Sequence, residues 1–128
     1  MVNDANKQQL LRPIDTDLTA SPNFVAYTTS KHATLGIMKT AALEAAPRKI
    51  RVNSIHPSPV DNRMMRSIEE GYEPGKGADA QKAFAASIPL GRYAAPLEIS
   101  KLVLFLGSDD SQFITGTQYV IDGGQTIK

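Results

Sequence analysis

The sequence lacks cysteine altogether and has no long apolar run. The absence of cysteine excludes disulfides, thiolate metal sites and a cysteine nucleophile. The longest unbroken run of aliphatic and aromatic residues is Leu102 to Leu106, far shorter than a membrane-spanning helix requires. Residues 1–11 are polar and lack the apolar stretch of a secretory signal. We therefore expect a cytoplasmic protein that does not associate with membranes.

The chain also lacks an excess of charge of one sign. Lys and Arg total 14, Asp and Glu total 13, and the formal net charge is +1. Proteins that bind nucleic acids or anionic membranes normally carry a basic excess, so we expect no nucleic-acid partner. The length of 128 residues and the hydrophobic content of 41% fit one soluble domain.

Residues 1–22 differ in character from the rest of the chain. They are polar and are interrupted by Pro13 and Pro22. The stretch permits a short helix over 6–12, but its composition favours a mobile leader. We therefore divide the chain into an atypical leader, 1–22, and a folded part, 23–128.

The pattern after the leader predicts a helix followed by a strand. Asn23 is suited to cap a helix over 24–46, which Pro47 ends. This helix is rich in alanine and apolar on much of its surface, which predicts that it is buried or lies at a subunit contact. Residues 50–56 then predict a strand stopped by Pro57, although the first strand of such a β-α-β unit is not obvious upstream.

The remainder predicts short elements of both kinds. Residues 61–95 are typical of a lid or binding loop with helical pieces. The predicted elements are a helix over 62–70, a helix capped by Asp79 and ending near 87, a helix from Pro96 to Gly107, and a strand over 118–121. The fold class is therefore α/β, with two parallel strands.

Tyr27 and Lys31 are the residues best suited to chemistry. They stand four apart on a predicted helix, so their side chains emerge on one face, one turn apart. A neighbouring ammonium stabilises a phenolate, which favours proton transfer by the phenol, and it has donors left for ligand hydroxyls. By itself, this spacing is found on a solvated helix face more often than in a catalytic site.

The surroundings of this pair decide between those interpretations. The segment 22–36 resembles the active-site helix of the short-chain dehydrogenase/reductase family, and 50–57 is similar to the strand that follows it. Further motifs resemble the C-terminal half of that family in the same order: Gly91-Arg92, 96–99, 105–109, 113–116 and 120–124. The resemblance covers about residues 21–128.

The resemblance implies a partial Rossmann-type fold and hydride transfer between NAD or NADP and a carbonyl or alcohol substrate. It implies that Tyr27 is the general acid/base and that Lys31 supports the phenolate and binds the ribose hydroxyls of the cofactor. Pro57, Val60 and Asn62 match the stretch that lines the nicotinamide, with the Val60 backbone suited to bind the carboxamide.

The sequence departs from the family pattern in its first residues. No glycine precedes Gly36, so the glycine-rich turn that binds the dinucleotide pyrophosphate has no counterpart, and we expect the isolated chain to fail to bind dinucleotide. The position of the family's catalytic serine is Ile14, and Ser58 replaces the usual glycine after Pro57. The alternative function is therefore a truncated, non-catalytic remnant or an oligomerisation module that pairs with itself or with related subunits.

Other polar residues carry structural interpretations. His32 and His56 lack the spacing of metal ligands, and we expect no metal site. Glu69 and Glu70 predict a solvated helix end, and Met64 and Met65 predict part of the apolar lining of the lid. Asp122 predicts a turn after the last strand.

Overall fold

The computed structural model describes residues 25–127, so the leader, Asn23 and Ile14 lie outside the described residues. In chain order, residues 25–127 form α1 (Val25–Ala45), β1 (Ser54–Pro57), α2 (Arg63–Tyr72), α3 (Gly77–Ala86), α4 (Pro96–Gly107) and β2 (Gln118–Ile121). This arrangement confirms the predicted α/β class. Within these residues, every helix is too short or too polar to cross a lipid bilayer.

Helix α1 ends where proline interrupts it, as predicted. The chain continues as one 3-10 turn, Ala46–Arg48, with Pro47 near its start. Lys49 then adopts a left-handed conformation with φ of 59°, and its N–H donates to the Ala46 carbonyl at 2.9 Å. This bond satisfies one of the carbonyl groups that a helix end leaves without a partner.

Helix α1 is buried only near its C-terminal end. Its buried side chains are Met38, Ala42 and Ala45, all in the last turns. By contrast, Ile37 is 68% exposed and Leu43 is 78% exposed. Residues 25–127 therefore leave uncovered most of the apolar surface that the sequence predicts to be buried or in contact with another subunit.

The two strands pair in parallel, with Ser54 opposite Gln118 and Pro57 opposite Ile121. Pro57 is tolerated inside β1 because the bond at this end of the ladder comes from the next residue, Ser58, whose N–H donates to the Ile121 carbonyl at 3.2 Å. The prediction of Pro57 as a strand stop was therefore wrong by one residue.

Strand β1 also begins later than the predicted strand, which started at residue 50. The Asn53 side chain, rather than backbone hydrogen bonds of the sheet, holds the segment that precedes β1. Its Nδ2 donates to the Ile114 carbonyl at 3.0 Å, and its Oδ1 accepts the Thr117 N–H at 3.1 Å. Side-chain bonds of this kind satisfy the facing backbone groups without extending the sheet.

Both helices predicted after β1 are present, with shifted boundaries. Asn62 is the N-cap of α2 rather than its first residue, because its Oδ1 accepts the Met65 N–H at 3.0 Å. Helix α3 begins at Gly77, ahead of the predicted cap Asp79, since the Asp79 N–H already donates to the Lys76 carbonyl at 3.0 Å.

One cluster of buried apolar side chains lies between α2, α3 and the segment that follows them. We call α2 and α3 together the lid hairpin (residues 63–86). The buried core side chains are Met65, Ala80, Phe84, Ile88 and Tyr93. The Tyr72 ring also packs edge-on against Phe84, with centroids 5.7 Å apart. The segment predicted as a lid is therefore a well-packed unit with apolar contacts of its own.

Helix α4 starts and stops at the predicted residues. Pro96 opens the helix, and the Glu98 carboxylate accepts the Ala95 N–H at 2.7 Å, which is a favourable place for an acidic group at a helix N-terminus. Its exposed large apolar side chains are Leu97, Val103, Leu104 and Phe105. Like α1, this helix presents apolar surface that residues 25–127 do not cover.

Candidate active site

Tyr27 and Lys31 are brought together on α1 as their spacing predicts. Lys31 Nζ lies 5.5 Å from the centroid of the Tyr27 ring. The Tyr27 side chain is 45% exposed, and Lys31 is half-buried. A cation at this distance is attracted to the face of the aromatic ring. The structure therefore brings the two side chains together beside an exposed phenol, and their role in proton transfer stays a prediction.

Val60 is held by a short parallel pairing with Ala94. The Ala94 N–H donates to the Pro59 carbonyl at 3.1 Å, and the Asp61 N–H donates to the Ala94 carbonyl at 2.9 Å. These bonds use the neighbours of Val60, so its own N–H and carbonyl take no part in the pairing. A carboxamide needs one donor and one acceptor, and the Val60 backbone has both.

Val60 and Asn62 line one open groove with helix α4. The groove has a volume of about 520 Å³, and its other lining residues are Pro96, Ile99, Ser100, Val103 and Leu104. Asn62 uses its Oδ1 for the cap of α2, which leaves the Nδ2 group as its donor toward a ligand. The groove is mostly apolar, and Asn62 and Ser100 are the polar side chains in its lining.

The remaining predicted residues lie close by in sequence but differ in exposure. Pro57 is exposed at the end of β1, whereas Ser58 is buried. Ser58 lines a separate, smaller cavity of about 80 Å³ together with Ile121 and Arg92. Tyr27 and Lys31 lie on the half of α1 that buries no side chain, and their roles and those of Pro57, Val60 and Asn62 stay predictions.

Glu69 is the polar residue that the sequence analysis missed. The prediction of a solvated helix end was wrong for Glu69, which is 2% exposed. Its carboxylate accepts the Tyr93 O–H at 2.8 Å and an Arg66 N–H at 2.9 Å. A signal was present, because Glu69 stands four residues after the buried Met65 and so shares its helix face.

Two further carboxylates have structural contacts. Glu98 binds both terminal nitrogens of Arg92 at 2.8 Å, and this pairing, followed by the Ala95 N–H, lowers the pKa of Glu98 to about 2. Asp122 accepts the Gly124 and Thr126 N–H groups at 2.8 and 2.7 Å, which confirms its turn role.

Histidine takes no part in a cluster of metal ligands in this part of the chain. His56 is buried, and its Nε2 shares a hydrogen bond of 2.8 Å with the Ser54 hydroxyl. His32 is exposed on α1, where its Nδ1 lies 2.9 Å from the Thr28 carbonyl. Among residues 25–127, no three His, Asp or Glu side chains are grouped so that they could hold a metal ion.

Comparison with known proteins identifies the family. A family model described as enoyl-(acyl carrier protein) reductase matches residues 14–126. The chain belongs to the short-chain dehydrogenase/reductase family. This family match begins within the segment that we predicted as a leader, and the division at residue 22 stays a prediction.

The relatives that this chain matches are longer than the chain itself. Oxidoreductase UcpA of Salmonella typhimurium is 42% identical over 118 residues, which are 92% of this chain and 45% of UcpA. A short-chain dehydrogenase family protein from Francisella tularensis superposes with a TM-score of 0.84 at 40% identity, over 91% of this chain and 50% of that one. The chain therefore spans about half the length of these relatives, and its structure is a partial Rossmann fold.

A third relative has been solved with a nucleotide. The structure of 4-hydroxyisoleucine dehydrogenase complexed with NADH superposes with a TM-score of 0.67 at 33% identity. The match covers 88% of this chain and 43% of that protein.

Proposed function

We propose that this chain carries the proton-transfer and nicotinamide-side part of an NAD(P)-dependent oxidoreductase that acts on carbonyl or alcohol substrates. The observation that carries the proposal is the Tyr27–Lys31 pair, with Nζ 5.5 Å from the ring centroid. The pair occurs in a chain that belongs to the short-chain dehydrogenase/reductase family.

The proposed roles follow from the chemistry of the two side chains. The Tyr27 hydroxyl donates a proton to the carbonyl oxygen during reduction and takes it back from the alcohol during oxidation. The Lys31 ammonium stabilises the phenolate that remains and has further N–H donors for the ribose hydroxyls of the cofactor. Because Tyr27 is half exposed, a substrate oxygen can reach it without rearrangement of α1.

The residues that would hold the nicotinamide side fit that group. The Val60 backbone has a donor and an acceptor outside its pairing with Ala94, and the Asn62 amide adds a donor at the same groove. Pro57, at the end of β1, would form one boundary of the nicotinamide site. When bound, the nicotinamide supplies or accepts the hydride. The relative solved with NADH supports a nicotinamide dinucleotide as the class of cofactor.

The test is a titration of NADH and NADPH with the 128-residue chain, followed by the fluorescence anisotropy of the cofactor. The proposal expects binding through the nicotinamide-side groups, against the sequence-based expectation that a chain with no glycine before Gly36 fails to bind dinucleotide. Saturable binding that weakens on the order of tenfold in Lys31→Ala supports the proposal. The matched control is Lys39→Ala, an exposed lysine on the same helix, which should bind as the wild type does.

The opposite result also has a clear meaning. If circular dichroism shows a folded chain and no binding occurs up to millimolar cofactor, the proposal is overturned for this chain. The family signature would then describe its ancestry, and the second candidate function would remain.

The second candidate is a non-catalytic module that associates with itself or with related subunits. The exposed apolar side chains of α1 and α4 favour it, because exposed apolar surface drives association. Sedimentation velocity of the chain tests it, with and without a related dehydrogenase. Leu43→Glu should weaken association at least about tenfold, because it places a charge on the exposed side of α1.

The control for this test places the same charge elsewhere. Gln112→Glu lies outside the helices at an exposed position and should leave association unchanged. A wild-type chain that stays monomeric at all concentrations and binds no related subunit contradicts the second candidate.

A further inference from the structure

A polar cluster that is buried at Glu69 and Tyr93 and exposed at Asp61 ties the lid hairpin to the groove. Glu69 of α2 accepts the Tyr93 O–H at 2.8 Å with one carboxylate oxygen and the Arg66 guanidinium at 2.9 Å with the other. The Arg66 guanidinium also forms an ion pair with Asp61 and lies 5.6 Å from the centroid of the Tyr93 ring. Glu69 and Tyr93 are 2% and 7% exposed. We call Asp61, Arg66, Glu69 and Tyr93 the lid latch.

The lid latch stands where the two walls of the groove meet. Tyr93 directly precedes Ala94, whose backbone pairs with Pro59 and Asp61 on either side of Val60. Two residues after Ala94, Pro96 begins helix α4, which forms the opposite wall. A shift of Tyr93 would therefore move both walls relative to each other.

The latch reaches the Val60 wall by a second route. Asp61 follows Val60 directly, and Asp61 pairs with Arg66, which itself binds Glu69. Asn62 caps the same helix, α2, on which Arg66 and Glu69 lie. The lid hairpin and the groove are thus joined by side chains as well as by the chain itself.

We propose that Glu69 and Tyr93 are positioning residues, whose buried hydrogen bond fixes the width of the groove lined by Val60 and Asn62. The inference rests on the proposed function only in that the groove is taken to hold the nicotinamide side. Neither residue lines the groove, so their effect on a ligand is exerted through the Val60–Ala94 pairing.

The physical basis is the cost of a buried acceptor without a partner. A carboxylate removed from water must have its oxygens satisfied, and Glu69 has one oxygen on Tyr93 and one on Arg66. Loss of the Tyr93 hydroxyl leaves a charged oxygen without that donor. The carboxylate then regains a partner only if the 93–94 segment moves and admits water. If only apolar contacts held the 93–94 segment, the loss of the Tyr93 hydroxyl would not move it.

The experiment is hydrogen exchange on the 128-residue chain, with Tyr93→Phe as the principal variant. The reporters are the Asp61 and Ala94 amides, which bond the groove wall together, and the reference is the Ser58 amide, which bonds to β2. In Tyr93→Phe we expect the two reporters to exchange on the order of tenfold faster while the reference is unchanged. Glu69→Gln keeps an acceptor for Tyr93 and should have a smaller effect.

The matched control is Tyr72→Phe. Tyr72 lies on the same helix as Glu69 and packs on Phe84, and within residues 25–127 its hydroxyl has no hydrogen-bond partner. Its removal should leave all three amides unchanged. Uniform loss of protection in Tyr93→Phe, including the Ser58 amide, would show a merely structural role and overturn the proposal. So would exchange of the reporters at random-coil rates in the wild type.

Cofactor titration of the same variants separates this inference from the proposed function. If the reporter amides exchange faster in Tyr93→Phe but no variant binds cofactor, the inference about Glu69 and Tyr93 is supported and the proposed nicotinamide role is contradicted. If exchange in Tyr93→Phe is the same as in the wild type and cofactor binding depends on Lys31, the positioning role of Tyr93 is contradicted and the proposed function is supported.

Discussion

Helix α1 and the lid hairpin are held in different ways. Helix α1 has 21 residues and carries Tyr27 and Lys31, yet it buries side chains only near its C-terminal end. The lid hairpin is built from two helices of 10 residues each, and its Met65, Ala80 and Phe84 form one buried apolar cluster with Ile88 and Tyr93. The residues suited to chemistry and the residues that provide packing therefore lie in different parts of the chain.

The difference arises because the packing partners of the lid hairpin lie close to it in the sequence. In the lid hairpin, two amphipathic helices joined by a short turn cover each other, and Ile88 and Tyr93 complete the core from the next segment. The N-terminal half of α1 finds no such cover within residues 25–127. A short helix with a nearby partner can be better packed than a long helix without one, because most helix stability comes from tertiary packing.

The strongest test of the comparison removes a large side chain from each region. Phe84→Ala should lower the free energy of unfolding by about 3–5 kcal/mol, because Phe84 is buried in the core and the change leaves a cavity. Leu43→Ala on α1 should change it by less than about 0.5 kcal/mol, because Leu43 is exposed. Urea unfolding followed by circular dichroism measures both. Equal losses for the two variants would break the comparison.

Alkaline pH should weaken the lid hairpin through Tyr93. Burial, the hydrogen bond to Glu69 and the negative charge of Glu69 raise the pKa of Tyr93 above its ordinary value. The unfolded chain therefore loses this proton first. The stabilisation is complete below pH of about 10 and is lost as the pH rises toward the folded-state pKa.

The pH dependence of the free energy of unfolding has an upper limit, because Tyr93 releases only one proton. The free energy of unfolding should fall by at most about 1.4 kcal/mol per pH unit in that window. Urea unfolding at a series of alkaline pH values measures the slope, and Tyr93→Phe should make it shallower while Tyr72→Phe should not. A slope that is the same in all three proteins would show that Tyr93 is not its source.

A glycine in each region gives the smallest and finest test. Gly36 on α1 and Gly71 on α2 both have open space where a Cβ atom would lie. Alanine at either helical position should raise the free energy of unfolding by about 0.5–1 kcal/mol. If another chain packs closely on α1, Gly36→Ala should instead weaken association in sedimentation, and Gly71→Ala should not.

Local contacts were predictable from the sequence, and their success has a common reason. The Tyr27–Lys31 pair needs only helical geometry over four residues, and the ends of α4 depend on Pro96 and Gly107 themselves. The end of α1 is similarly decided by Pro47. In each instance the residues that determine the structure are neighbours in the chain, so the pattern contains the information.

Contacts between distant residues could not be predicted in this way. The burial of Glu69 depends on Tyr93, 24 residues further on, and the position of Val60 depends on its pairing with Ala94. The spacing of Glu69 from Met65 indicates a shared helix face, but it contains no information about the phenol that Glu69 meets there. The late start of β1 has the same origin, since Asn53 is occupied by the loop that precedes β2.

Proline within β1 has a consequence for how this sheet meets other chains. The N–H groups of Ser54 and Ser58 face β2, so those of the alternate positions face the opposite edge. At that edge Ile55 has an N–H, but Pro57 has none. Within residues 25–127, a strand of another chain that paired along this side would find one N–H donor from β1, and a missing donor of this kind disfavours the addition of strands.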